Sequence, residues 1–185
     1  AVPYGKMTAG RRIKESGKNM SKMLIVYYSW SNGNTKKIAE ELQKATGADL
    51  ARIDTLSAYK NQSYDEVVWE SEKDIAKGYK PELAPLYFHL KDYDTVAVGT
   101  PTWWYTMAPA MKTFLESQDF TGKKAAFFAT HGGWPGHALK DMEKACKGAS
   151  FGPELTIQFD STGGSRQVTS QDKVEEWIRK VQGWK

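Results

Sequence analysis

The chain is short of several things, and each shortage removes a class of function. One cysteine in 185 residues, Cys146, rules out an internal disulfide framework and fits a reducing compartment. His131 and His137 with that cysteine lack any recognised zinc-ligand spacing, so no metal site is expected. No run approaches the ~18 apolar residues that cross a bilayer. The pattern Gly-x-Ser-x-Gly is missing and Ser29 is followed by Trp30, which argues against a hydrolase elbow. There is no Gly-x-x-x-x-Gly-Lys-Ser/Thr, and Gly132-Gly133-Trp134-Pro135-Gly136 only echoes a dinucleotide fingerprint. The first apolar run ends in Tyr28-Ser29-Trp30, without the clustered acids that hold Mg²⁺ in a phospho-receiver.

Acidic residues are scarce only at one end. Residues 1–22 hold six Lys/Arg against one Glu, leaving 20 basic and 21 acidic residues for the remainder. The basicity therefore belongs to a leader rather than to the body, and nucleic-acid binding is not expected. The leader has no apolar h-region and is no secretory signal. It is read as a disordered or appended segment, with residues 23–185 as one domain of a size that builds a substantial core. A cytoplasmic protein without membrane attachment is expected, as a monomer or weak dimer.

Strand and helix signals alternate after Met23. Leu24-Ile25-Val26-Tyr27-Tyr28 reads as a buried strand, and Ile38, Leu42 and Ala45 share one helical face behind it. Further strands are expected at 48–53, an edge, and at 95–99, 125–129 and 155–159. Helical spacing joins Met107, Met111, Phe114 and Leu115, then Leu139, Met142 and Cys146, then Val174, Trp177, Ile178 and Val181. Between 54 and 92, a helix over 65–76 is expected to pack Val68, Ile75 and Trp69 inward. Five strands alternating with helices imply a parallel α/β sheet covered on both faces, a three-layer sandwich.

In such a sheet a ligand sits beyond the carboxyl ends of the strands. Three segments reach that rim. The first, Ser29-Trp30-Ser31-Asn32-Gly33-Asn34-Thr35, is rich in hydroxyls and opens a helix, where unpaired N–H groups and the helix dipole suit a phosphate. The second is Thr100-Pro101-Thr102-Trp103-Trp104-Tyr105-Thr106, and the third Thr130-His131-Gly132-Gly133-Trp134-Pro135-Gly136-His137. Their tryptophans, glycines and free backbone suit a flat aromatic ring.

Taken together the three segments resemble the flavodoxin-like family of FMN-binding proteins, from about Met23 to the C-terminus. The phosphate loop is similar to the family's Ser/Thr-x-Ser/Thr-Gly-Asn-Thr pattern, with Asn32 as an extra residue before Gly33-Asn34-Thr35. Val98-Gly99-Thr100-Pro101-Thr102-Trp103 and Phe128-Ala129-Thr130-His131-Gly132-Gly133 are similar to its two ring-binding loops. The resemblance implies a sheet of order 2-1-3-4-5. It implies that Ser29, Ser31, Asn34 and Thr35 hold the FMN phosphate, with Trp30, Asn32 and Gly33 in the same loop. Pro101, Thr102, Trp103, Trp104 and Tyr105 would line the ribityl chain and ring. Thr130, His131, Gly132, Gly133 and Trp134 would face its pyrimidine end.

Two departures stand out. The stretch Trp104-Tyr105-Thr106 has no glycine where the family often has one, so a positive φ there is expected to be strained. Neither 99–109 nor 130–137 carries Asp or Glu, so no acid is expected at the ring. The resemblance implies a redox protein carrying electrons between partner proteins or to a small-molecule acceptor, with no catalytic side chain required. An NAD(P)H-dependent quinone or flavin reductase uses the same pocket and stays open, as does a non-redox mononucleotide-binding module.

Overall fold

The computed structural model describes residues 22–184, so the leader lies outside the described residues except for Lys22. Its carbonyl accepts from the N–H groups of Asp94 and Thr95. Five parallel strands form the sheet: β1 (Met23–Tyr27), β2 (Asp49–Arg52), β3 (Thr95–Trp103), β5 (Lys124–His131) and β6 (Ser150–Gln158). A short strand, β4 (Thr106–Met107), turns back antiparallel on β3. The order is β2-β1-β3-β5-β6, the expected 2-1-3-4-5 once the hairpin strand is left aside.

Alternation along the strands divides the core. Leu24, Val26 and Tyr28 face one side with Val96, Val98, Phe127 and Ala129. That side is covered by α3 (Pro109–Ser117) and α4 (Ala138–Ala145), through Met111, Phe114, Leu115 and Met142. Met23, Ile25 and Tyr27 face the other side with Ala97, Ala126 and Phe128. There α1 (Asn34–Thr46) and α5 (Gln171–Trp184) supply Ile38, Leu42, Val174, Trp177 and Val181. A period of two in the strands and of 3.6 in the helices produces both layers. Each fully buried Leu, Ile or Phe contributes roughly 1.5–3 kcal/mol. Cys146 is buried in the first layer, and that burial pushes its thiol up to about 12.

Three expectations need correction. The last strand is longer than 155–159 because it is an exposed edge, where apolar alternation is not required; its pairing slips by one residue around Gly152-Pro153, where proline cannot donate. The segment after Gly99 continues as strand through Trp103 and returns as a hairpin instead of forming a loop. Helix α2 (Tyr64–Lys77) forms between 54 and 92, but Trp69 points outward with Lys73 over its ring, while Val67 and Ser71 face in. The helix frame explains this. Ser63 and Glu66 form a reciprocal capping box that fixes where the helix starts, and Val67 and Ser71 then fall on the inner stripe.

Candidate functional site

A cavity of about 460 Å³ opens at the carboxyl rim of the sheet, within the range of small-ligand sites. Of the residues singled out from the sequence, it is lined by Trp30, Ser31, Asn34, Thr35, Pro101, Thr102, Trp103, Trp104, Tyr105, Thr130, His131, Gly132 and Trp134. Ser29, Asn32, Gly33 and Gly133 do not line it. Ser29 is buried, its hydroxyl accepting from Lys36 N and its carbonyl from Arg52. Asn32 is exposed, and its amide donates to the Gly163 carbonyl. Gly33 caps α1 at φ 73°. Gly133 sits at φ 125° and donates its N–H to His131 Nδ1 at 3.0 Å.

One side of the cavity is built from the start of α1. Its cap is a left-handed glycine with no side-chain hydrogen bond, and its first turn has no acid. Ser29 Oγ takes the Lys36 N–H, which leaves the Asn34 and Thr35 N–H groups at the positive end of the dipole. Thr35 Oγ1 meets Thr130 Oγ1 at 2.8 Å, so two of the three rim segments touch here.

The side formed by the hairpin is aromatic and tightly framed. Trp103 is held edge-on by Tyr28, Trp30 and Tyr59, at ring distances of 5.8, 6.0 and 5.2 Å. Trp104 and Tyr105 form the two-residue tip of the β3–β4 hairpin, at φ 49° and 67°. Positive φ at both central residues marks a type I′ turn, which ordinarily takes Asn-Gly. Each of these residues pays about 1–2 kcal/mol for a left-handed backbone. Trp104 is fixed to α2, its indole N–H lying 3.1 Å from Val68 O and 3.2 Å from Ser71 Oγ. Trp134 and Tyr105 are exposed at the mouth.

The cavity also takes residues that the sequence reading missed. Tyr64, Val67, Val68 and Ser71 come from α2, and Phe159, Asp160, Ser161 and Gly163 from the segment after β6. The capping box at Ser63 announces α2, and the carboxyl end of β6 lies on the same rim, so both signals were present. Asp160 adds a carboxylate to the cavity lining from outside the two segments, 99–109 and 130–137, that carry none. The backbone N–H and hydroxyl of Thr162 hold its carboxyl below the usual carboxylate range.

His131 is half-buried, and burial lowers its pKa from the usual 6.5. Its Nδ1 accepts from Gly133 N, which also requires the neutral ring. The unfolded chain therefore takes up this proton before the folded one does. Stability from His131 is complete above about pH 7 and falls as pH drops through the unfolded value toward the lowered folded one. Thermal denaturation between about pH 5 and 8 is expected to show a steeper acid-side loss for the parent chain than for His131→Asn.

A larger groove of about 1020 Å³ lies between α2, α3 and α4. It is broad, takes nothing from the α1 start, and is lined by Lys112, Lys144, Lys147 and Glu116, so the smaller cavity is the candidate site.

The residues at that cavity suit FMN. Thr102 Oγ1 is buried in its wall with no hydrogen-bond partner, an orphan hydroxyl of the kind a polyhydroxyl chain satisfies. The glycine-capped helix start suits a phosphate, and the tryptophan walls a flat ring.

Comparison with known proteins gives the same frame. A flavodoxin of Haemophilus influenzae is 31% identical over 107 residues, covering 56% of this chain and 47% of that protein. An Escherichia coli protein, the uncharacterized NAD(P)H oxidoreductase YcaK, is 26% identical over 49% of this chain and 50% of its own length. The chain spans about half the length of these curated relatives. A Lactobacillus acidophilus flavoprotein solved in complex with FMN has a TM-score of 0.63 at 22% identity, covering 85% of this chain and 98% of that one. The flavodoxin family model matches residues 22–181, across all six strands and all five helices but the end of the last. On that match, the chain belongs to the flavodoxin family.

Proposed function

We propose that this chain binds FMN in the rim cavity and carries electrons between redox partners. The observation that carries the reading is the convergence of three elements on one cavity: a glycine-capped helix start, a tryptophan hairpin and a glycine-bearing strand end. When bound, FMN supplies one- and two-electron chemistry, while the protein binds, orients and tunes it. Ser31, Asn34 and Thr35 would hold the phosphate with the α1 N–H groups. Thr102 would satisfy the ribityl chain, and Trp103, Trp104 and Trp134 would wall the ring. Asn32, in this reading, acts indirectly by tying Gly163 to the phosphate loop. His131, kept neutral, presents no positive charge to the cavity.

Titration of the pure chain with FMN tests this directly. Quenching of flavin fluorescence with a one-to-one end point at micromolar concentration is expected; no binding at that concentration sinks the proposal. A second reading, an NAD(P)H-dependent reductase using the same cavity, draws on the Escherichia coli relative. Rapid stoichiometric bleaching of the flavin by NADPH in stopped flow supports it; an unreactive complex supports the carrier.

A further inference from the structure

The Trp104–Tyr105 turn adopts a backbone that neither residue favours, and such conformations persist only where the surroundings over-determine them. One clamp is Trp104 on α2. The other comes from the α4 side. His137 N donates to Tyr105 O at 2.8 Å, and Gly136 lies so close that a methyl there would sit 2.2 Å from the same oxygen. Thr106 Oγ1, next to the turn, donates to Asp141 Oδ2 at 2.5 Å, and His137 Nδ1 donates to that same oxygen.

We propose that Asp141 is a positioning residue for the cavity: its carboxylate gathers Thr106 and His137 and so keeps the Trp104–Tyr105 turn against the ring end. Asp141 is suited to this because α4 is a rigid base, anchored by the buried Ala138 and Met142. It stands four residues after His137, whose carbonyl accepts from Asp141 N at 2.9 Å, so helix geometry aligns the pair. One oxygen accepting two donors is a charge-assisted arrangement stronger than neutral hydrogen bonds. Without it, Thr106 and His137 release and the turn is free to relax toward a commoner form that withdraws Trp104 and Tyr105. The α1 end shares no hydrogen bond with this network among the described residues.

The inference rests on the proposed FMN reading only for its ligand arm. In the unliganded full chain, hydrogen exchange of the Trp104 indole N–H reports the turn directly. Asp141→Ala is expected to speed that exchange at least about tenfold, Thr106→Val in the same direction by less, and Asp141→Asn, which still accepts, in between. In the ligand arm, Asp141→Ala is expected to weaken riboflavin and FMN equally, by about ten- to a hundredfold, through faster dissociation. Thr106→Val decides the matter if Asp141→Ala does not fold. An unmoved indole signal in the folded variants overturns the proposal, as does a loss confined to FMN with riboflavin spared. A parent chain that binds no flavin defeats the FMN reading alone, since the indole exchange still judges Asp141.

Discussion

Ser31→Asp is expected to weaken FMN binding by about two orders of magnitude while leaving the unliganded chain as stable as before, or slightly more so. Ser31 is exposed at φ 55°, just ahead of the glycine-capped start of α1. Aspartate tolerates a left-handed backbone better than serine does. Its carboxylate would meet the positive end of the helix, a gain of about 0.3–1 kcal/mol. The same charge opposes a bound phosphate. Two unit charges about 5 Å apart at an effective dielectric near 20 repel by roughly 3 kcal/mol, about a hundredfold in affinity. Riboflavin, which lacks the phosphate, is expected to bind parent and variant within about threefold. Calorimetric titration with both ligands checks this. Equal losses for the two would show that the variant damages the pocket, and unchanged FMN affinity would place the phosphate elsewhere.

Gly99→Ala is expected to lose about 3 kcal/mol of stability or more. Gly99 lies in β3, beside Tyr27 on one side and Phe128 on the other. The Phe128 ring crosses the space a side chain would need: a methyl at 99 would lie 2.0 Å from its Cζ. Phe128 cannot easily retreat, being fully buried with Trp177 5.4 Å away. Overpacking of this kind costs typically 1–3 kcal/mol and sometimes more. At roughly 2–4 °C per kcal/mol for a chain of this size, the melting temperature should fall by about 10 °C. Phe128→Leu destabilises alone, yet it should recover part of the loss in the Gly99→Ala background. A double-mutant cycle is expected to give a favourable coupling above about 1 kcal/mol; additive losses would contradict the ring as the cause.

A parallel sheet was legible because three strands are near-continuous apolar runs, 24–28, 95–99 and 125–129, and such runs belong to central parallel strands, whereas the order 2-1-3-4-5 came from the family resemblance alone. The β3–β4 hairpin was not legible. Trp104-Tyr105 violates the turn chemistry by which hairpins are read, and tertiary clamps rather than local preference hold it. Positive φ was expected to be unfavourable at those residues, and the fold adopts it at both. Trp69 misled because an aromatic at helical spacing says core, whereas the capping box sets the frame one step away. Thirteen of the residues singled out line the cavity because the rim rule for parallel sheets finds strand ends. The rule applied equally to β6, whose end at 158 lies within one residue of the expected 159, but the segment beyond it was not taken as a fourth part of the rim. Asp160 and Gly163 were missed for that reason.

The amides of Asn32 and Asn34 hold the carbonyls of Gly163 and Gly164, partners some 130 residues further along. Synthesis runs from the N-terminus, so the opening strand and helix emerge long before their closing partners. Until Gly164 has left the ribosome, those two asparagines lack their counterparts and one flank of the nest has no wall. On the proposed reading, capture of a nucleotide is therefore a late event in the life of the polypeptide, waiting for the segment that follows its final strand rather than for the folding of the first loop.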